Sequence, residues 1–296
     1  MEGLMIREAE PRRSFEGERI GLVVKPNSSI AVETAERIAR LLESLGIEPV
    51  VSEETKSSYE SLGAYKSFSL EEEAPEKVIV VGGDGTLLRT VMRLGNPSTV
   101  VMGVRAGKRG FLLDVEQYEV EARVKDFVEG RYVVVEHGRL QPLVFDKEHH
   151  CSLNDVVLVG KNAKMVRLSV YLDGEKALNI DGDGVIVATT LGSTAYSLSA
   201  GGPIIDPRLD AVVITPLNPI QLHLRPLVVP TSYTIEVEVS PGSNDLSIVI
   251  DGQEYYDLGV GDVVSIRRCP WPARIARFRW WEEFYERLYA RLLSYW

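Results

Sequence analysis

The sequence predicts an α/β protein of two domains: a doubly wound parallel sheet, then a β-rich domain, with a C-terminal helix packing back. Three observations lead to this expectation. Apolar β-branched runs alternate with helical periodicity up to about residue 115. Beyond that point short β-rich runs dominate, most of them separated by Gly, Pro, Asn and Asp. Residues 277–296 read RFRWWEEFYERLYARLLSYW, placing Trp281, Phe284, Leu288, Leu292 and Tyr295 close to helical spacing.

Residues 1–18, MEGLMIREAEPRRSFEGE, lack the apolar centre of a signal peptide and read as a flexible extension. RIGLVVK (19–25) is a first strand, closed by the turn Pro26-Asn27-Ser28. Ile30, Thr34, Ile38, Leu41 and Leu45 then recur at helical spacing, and Gly46 stands where a C-terminal cap belongs. Pro49, Val50 and Val51 suggest a short second strand, and the polar, acidic residues 52–76 a surface connection with a short helix. The run at 78–90 is the centre of this half, followed by a helix through Leu94, the strand TVVMGV at 99–104, and a helical stretch near 116–129.

From Tyr132 onward the runs are YVVVEH, LQPLVF, DVVLV, VRLSVYL, GVIVA, AVVIT, YTIEVEVS, LSIVID and VVSIRR. The domains so read are residues 19–115, a Rossmann-like α/β domain, 116–276, a β-rich domain, and 277–296, the terminal helix.

Composition narrows the function. A chain of 296 residues with 45% apolar and 26% charged residues is long enough for two ordinary globular domains. A net charge of -10 argues against nucleic-acid binding, while leaving room for anionic small molecules held by a local basic cluster. No apolar run approaches the length of a membrane span. Cys151 and Cys269 lie far apart and suggest neither a metal site nor a disulfide framework, so a reducing cytoplasm is the expected setting. The adjacent pair His149-His150 reads as a surface turn, because neighbouring residues rarely chelate one ion. No metal-ligating set is expected.

The stretch VIVVGGDGTLLRT carries the chemistry. Its first half is a continuous β-branched run, the pattern of a strand buried on both faces. Gly82, Gly83 and Gly85 then surround Asp84, and Thr86 opens a helix-like segment. Such a turn exposes backbone N–H groups at the positive end of a helix dipole, a ready phosphate site that glycines leave sterically open. Asp84 is out of place in a pure phosphate cradle. A phosphotransferase can use it to orient and deprotonate an attacking hydroxyl or to help hold Mg²⁺; otherwise it is the helix N-cap. In a doubly wound sheet ligands bind at the carboxyl ends of strands. AGKRGF (106–111) lies at another such end, where Lys108 and Arg109 supply positive charge or are plain solvated surface.

Residues 179–203, NIDGDGVIVATTLGSTAYSLSAGGP, form a second constellation. A calcium loop is not expected, since Leu191 and Gly192 stand where the ligating Glu would be needed. GSTAYS (192–197) offers hydroxyls, a close-approach glycine and an aromatic ring, suited to a ribose or a base edge or to a capped helix start. In CSLNDVVLV (151–159), Asn154 and Asp155 precede a buried strand, either as turn residues or as an amide and a carboxylate facing a polyol such as ribose.

These pieces together resemble the NAD kinase family. GGDGT at 82–86, the pair Asn154-Asp155 and GDGVIVATTLGSTAYSLSAGGP occur in the family's order, with GKRGFL near residue 110, RPLVV at 225–229 and FYERL near the C-terminus. GGDGT alone is shared with diacylglycerol kinases, sphingosine kinases and phosphofructokinases; the long glycine-rich motif discriminates. The likeness covers residues 19–296. It implies phosphate transfer from ATP or polyphosphate, with Mg²⁺ or another divalent cation, to the 2′-hydroxyl of the adenosine ribose of NAD. It makes Asp84 the catalytic base and Gly82, Gly83, Gly85, Thr86 and Arg89 the phosphate- and ATP-binding set. Asn154, Asp155, Asp183, Thr194, Ala195, Tyr196 and Ser199 become the NAD-binding set, some of them contributed across a subunit interface in a homodimer or homotetramer. No covalent nucleophile is needed for such a transfer.

Five residues depart from the family pattern. Thr190-Leu191 stands in place of Pro-Thr, Ile220 in place of His, Arg105 in place of Asn, and Asp155 in place of the more usual Glu. They bear on how the far end of the acceptor is held. Two other readings follow: a kinase of the same scaffold acting on a sugar, polyol or nucleoside, and a non-catalytic dinucleotide-binding protein.

Overall fold

Val78–Val81 project alternately to the two faces of a sheet, and every residue of the strand they belong to is buried. The sheet around that strand organises the first half of the molecule. A computed structural model describes residues 6–8, 17–107, 110–278 and 280–293. In order, its elements are β1 (Ile6–Glu8), β2 (Arg19–Val24), α1 (Ser29–Ser44), β3 (Glu48–Ser52), α2 (Glu53–Ser58), β4 (Lys66–Phe68), β5 (Lys77–Gly82), α3 (Asp84–Arg93), β6 (Val100–Arg105), α4 (Val120–Val128) and β7 (Val133–His137). There follow β8 (Leu140–Val144), β9 (Lys147–Glu148), β10 (Asp155–Gly160), β11 (Val166–Leu172), β12 (Glu175–Gly182), β13 (Gly184–Thr189), α5 (Tyr196–Ser199), β14 (Ala211–Leu217), β15 (Leu227–Pro230), β16 (Ile235–Val239), β17 (Leu246–Ile250), β18 (Glu254–Leu258), β19 (Val263–Arg268), β20 (Ala273–Arg277) and α6 (Trp280–Leu293).

The chain forms two compact units. One comprises Ile6–Glu136 with Ala273–Trp296, and the other contains His137–Pro272. The sequence places the division near residue 115. In the structure α4 and most of β7 stay with the first unit, because Val120, Val124, Phe127 and Val128 join the core of its sheet. The last segment returns to the same unit: β20 pairs in parallel with β6, although ARIAR carries no local sign of that pairing.

The first unit is an eight-stranded sheet in the order β1-β7-β20-β6-β5-β2-β3-β4. From β2 the chain runs outward through β3 to β4, then returns to β5 on the other side of β2 and continues to β6. The strand order therefore reverses between β2 and β5, the crevice where an open α/β sheet takes its ligands. The strands from β4 to β6 pair in parallel, as the alternation of elements predicts. Helix α1 is capped by Ser28, whose Oγ accepts the Ala31 N–H (3.3 Å), and ends at Gly46, where φ is +77°. Its buried stripe is Ala31, Thr34, Ala35, Ile38, Ala39 and Leu42, rotated from the expected one, so Ile30 lies exposed.

Besides β20, two strands of this sheet fall where none is expected. β4 lies within the acidic connection and pairs with β3. β1 lies within the supposed flexible extension and pairs with β7. Both are three-residue edge strands, too short to leave a periodic signature.

The second unit contains two six-stranded sheets, β15-β14-β13-β10-β17-β18 and β12-β11-β16-β19-β8-β9, antiparallel at every pairing. Buried and half-exposed residues alternate along β16 and β17, as expected for strands with one face on a core. Four of the strands are missing from the runs read in the sequence: β9, β12, β15 and β18. All four stand at or beside sheet edges, where one face and one flank meet water.

Cys151 and Cys269 form a disulfide across a sequence separation of 118. This corrects the reading of two unrelated thiols. Separation along the chain says nothing of separation in space once Cys269, just past β19, pairs its N–H with the carbonyl of Arg139 ahead of β8 (2.8 Å). It also removes the thiol argument for a reducing compartment. No helix among the described residues is long and apolar enough to cross a membrane.

Candidate active site

In the first unit the GGDGT turn sits at the reversal point of the sheet. Strand β2 is followed by Lys25, whose N–H donates to the Val81 carbonyl (2.9 Å), and β6 by Ala106, whose N–H donates to the Gly82 carbonyl (2.8 Å). Gly82 is required by packing: a Cβ there would lie 2.6 Å from Thr86 Oγ1 and 3.1 Å from Lys25 Cβ. Gly85, by contrast, faces open space. The N-cap of α3 is Gly83, and Asp84 is the first helical residue with no capping hydrogen bond from a side chain. The N-cap reading of Asp84 is thereby corrected.

The Asp84 carboxylate turns instead to the segment after β6. Oδ1 accepts the N–H groups of Phe111 (3.0 Å) and Leu112 (2.9 Å), and Oδ2 accepts the Phe111 N–H (2.8 Å). Beyond Leu112, Val115 bridges Val104 of β6 in parallel, with the Arg105 N–H on the Val115 carbonyl and the Val115 N–H on the Gly103 carbonyl. The half-exposed Asp84 is thus fixed by two amides that no inspection of GGDGT reveals. The expected cations Lys108 and Arg109 lie outside the described residues. Arg89 is not directed at the turn: its guanidinium pairs with Glu54 of α2 (2.9 Å).

In the second unit the structure brings the other two motifs together. The Thr189 N–H donates to the Asn154 carbonyl (2.9 Å), Thr189 Oγ1 donates to the Leu153 carbonyl (2.7 Å), and the Gly192 N–H donates to Thr189 Oγ1 (2.9 Å). Behind Asn154 and Asp155 stands Asp251. Its carboxylate accepts three successive N–H groups, from Leu153 (2.6 Å), Asn154 (2.8 Å) and Asp155 (3.0 Å). Sequence reading passed over this residue, although an acid followed by glycine at the end of the LSIVI run repeats the pattern of Asp84-Gly85.

Burial raises the Asp155 carboxyl to about 7, with the neighbouring Asp251 adding to the shift. Burial pushes Asp251 up too, opposed by its three amide donors and by the Arg139 cation. Arg139 is itself lowered by burial to about 10, and donates to the Cys151 carbonyl (2.7 Å).

The remaining expected residues divide. Thr194 is buried and its hydroxyl donates to the Leu191 carbonyl (3.1 Å). Ala195 is half-buried, whereas Tyr196 and Ser199 are exposed on α5. Asp183 is not brought near Asn154 within one chain. It precedes β13 at the end opposite Ala188, the residue paired with Asp155, about 17 Å away at the rise of an extended strand. There its Oδ2 accepts from Asn218 Nδ2 (2.7 Å). Leu191 is buried and Ile220 exposed. Among the described residues no group of three His, Cys, Asp or Glu gathers to hold a metal ion.

Comparison with known proteins assigns the class first: the chain is a phosphotransferase enzyme. A family model described as the ATP-NAD kinase N-terminal domain matches residues 20–132, and one described as the ATP-NAD kinase C-terminal domain matches residues 153–278. The chain belongs to the NAD kinase family. The NAD kinase of Aeropyrum pernix is 52% identical over 278 residues, covering 94% of this chain and 99% of that protein. The NAD kinase of Methanopyrus kandleri is 35% identical over 284 residues, covering 95% and 99%. Among solved structures, an NAD kinase from Archaeoglobus fulgidus in complex with ATP matches with a TM-score of 0.75 and 26% identity, covering 92% of this chain and 99% of the other. Yeast NADH kinase complexed with NADH shares the fold, with a TM-score of 0.82 at 24% identity, over 94% and 87%.

Proposed function

We propose that this chain transfers the γ-phosphoryl group of ATP to the 2′-hydroxyl of the adenosine ribose of NAD, giving NADP and ADP. Asp84 takes the hydroxyl proton as the 2′-oxygen bonds to phosphorus and the bond from phosphorus to the β–γ bridging oxygen breaks. One observation carries this reading: Asp84 opens α3 without capping it, and its carboxylate is oriented by the N–H groups of Phe111 and Leu112. A carboxylate so held is pre-positioned at no further entropic cost when the acceptor arrives. The glycine backbone at 82–85 and Thr86 take the donor's phosphates, and the terminal phosphate of polyphosphate suits the same cradle. Arg89 joins them by exchanging Glu54 for a phosphate oxygen.

Asn154 and Asp155 take the adenosine half of NAD, the carboxylate accepting from a ribose hydroxyl. Thr194, Ala195, Tyr196 and Ser199 line the same molecule. Asp183 meets it from a second copy of the chain in a homodimer or homotetramer, a reading supported by its distance from Asn154 within one copy. With one carboxylate at the turn, the donor set fits Mg²⁺ carried in on the phosphates, which keeps most of its ligands from phosphate and water. That cation would neutralise charge on the transferring group, and Asp84 is the carboxylate at the turn that could help to hold it. Its substrates make the cytoplasm the setting of the reaction.

The test is NADP formation by the purified chain with NAD, ATP and Mg²⁺, beside Asp84→Asn. The expected result is activity in the parent and a loss of about 10²- to 10⁴-fold in kcat in the variant, with both KM values nearly unmoved. Equal rates in the two proteins would remove Asp84 from the mechanism.

A further inference from the structure

Two motifs singled out in the sequence, GKRGFL and FYERL, are left unexplained by substrate contacts, and the structure joins them. The peptide segment whose amides hold Asp84 is gripped on its carbonyl side by two arginines from the far end of the chain. Arg287 of α6 donates from Nη2 to the carbonyls of Phe111 (3.3 Å) and Leu113 (2.7 Å). Arg277 of β20 donates from Nη1 to the Leu112 carbonyl (2.6 Å) and pairs with the Asp114 carboxylate. Arg277 is 2% exposed, and the same Asp114 oxygen lies 3.7 Å from Arg287 Nη1. Phe284, one turn before Arg287, is buried with its ring edge-on to Phe111 at 5.8 Å between centroids.

The geometry is more than an anchor. The Phe111 carbonyl and the Leu112 N–H belong to one peptide unit. A guanidinium therefore sits at the oxygen end of a planar dipole whose hydrogen end points at Asp84 Oδ1. A cation on the carbonyl polarises that peptide and strengthens the donor at its other end, the cooperative gain of hydrogen bonds in series. Because the peptide is rigid, fixing its oxygen also fixes the direction in which its N–H points.

We infer that Arg287 is a positioning residue for phosphoryl transfer, acting through the Phe111–Leu113 peptides to orient Asp84, with the Arg277–Asp114 pair as its buried footing. The inference rests on the role of Asp84 proposed above. It also gives the terminal helix a part in catalysis without contact to either substrate.

The experiment compares full-length parent, Asp84→Asn, Arg287→Met, Arg287→Gln and Arg287→Lys in steady-state kinetics with NAD, ATP and Mg²⁺, alongside thermal unfolding. Arg287→Met is expected to lose about ten- to a hundredfold in kcat, the scale of a misplacement of about 1 Å. Its KM values for NAD and ATP should stay within about twofold of the parent's, because no binding contact is removed. Arg287→Lys, which keeps a cation able to reach the carbonyls, should recover much of the loss. A folded Arg287→Met with parental kcat, or with a loss found in KM instead, overturns the proposal. Should Arg287→Met not fold, Arg287→Gln decides by the same readout, retaining an amide donor without the charge. An inactive Asp84→Asn beside a fully active Arg287 variant overturns the positioning role alone. A fully active Asp84→Asn overturns the reading of Asp84 beneath it.

Discussion

Gly192 packs its α-carbon directly against the backbone of Asn154. A Cβ at Gly192 would lie 2.7 Å from Asn154 Cα and nearer still to its carbonyl carbon and oxygen. The N–H of Thr189, at the end of the strand leading into the turn, already occupies that carbonyl. Two motifs nearly forty residues apart in sequence are thus locked together by the absence of one methyl group.

Gly192→Ala should therefore move Asn154 as well as destabilise the fold. A backbone neighbour cannot rotate away as a side chain can, so a cost at or above about 1–3 kcal/mol is expected. Calorimetric titration should show weaker NAD binding, and a melting curve the lost stability. ATP affinity, which depends on the turn at 82–86, should be unchanged.

The carboxyl of Asp155, normally near 3.8, is raised to about 7 in the folded chain. Between those two values the folded protein holds a proton that the unfolded chain releases. Its contribution to stability is thus complete below about pH 4, shrinks as pH rises and is gone above about 7. Asp155→Asn should remove that component, so the variant gains on the parent in chemical denaturation as pH rises from 4 to 7. Binding should run the other way. A carboxylate accepts from ribose and a protonated acid accepts less well, so the parent's KM for NAD should fall through about pH 7 and the variant's should not.

Asp251 holds three consecutive N–H groups and is buried. Asp251→Ala leaves those buried donors without their acceptor, at about 1–3 kcal/mol for each one that finds no water. A large drop in melting temperature is expected, together with weaker NAD binding. Asp251→Asn, which keeps one acceptor oxygen, should lose less of both.

The Cys151–Cys269 bond closes a long loop three residues ahead of Asn154. Such a crosslink restricts the unfolded chain, and its removal typically costs about 2–4 kcal/mol. Cys269→Ser, or reduction of the parent, should lower the melting temperature by a corresponding amount. Reductant should leave the variant's own melting curve in place.

Local chemistry alone determined a good part of this protein. The β-branched run before GGDGT carried the pattern of a strand covered on both faces, because side chains alternate along a strand and all of these are apolar. The spacing from Ile30 to Leu45 specified α1, though not which neighbouring stripe would face the sheet, since that depends on what packs against it. Asn154 and GSTAYS were legible as candidate ligand residues, their backbone contact was not. β12 and β18 escaped because edge strands have no second covered flank to impose a pattern.

Only the tertiary structure decided the rest. β20 enters the first sheet beside a strand more than 160 residues earlier, and no property of ARIAR encodes that partner. The same return of the chain carries Arg277 and Arg287 to the peptides that hold Asp84. It took folding to decide between Asp84 as a helix cap and Asp84 as a free carboxylate, by fixing it on Phe111 and Leu112, and to pair two cysteines that read as strangers. Periodicity and turn chemistry act over a few residues and leave their mark in the letters. Contacts between distant segments arise from the shape of the whole fold, and no short stretch of sequence records them.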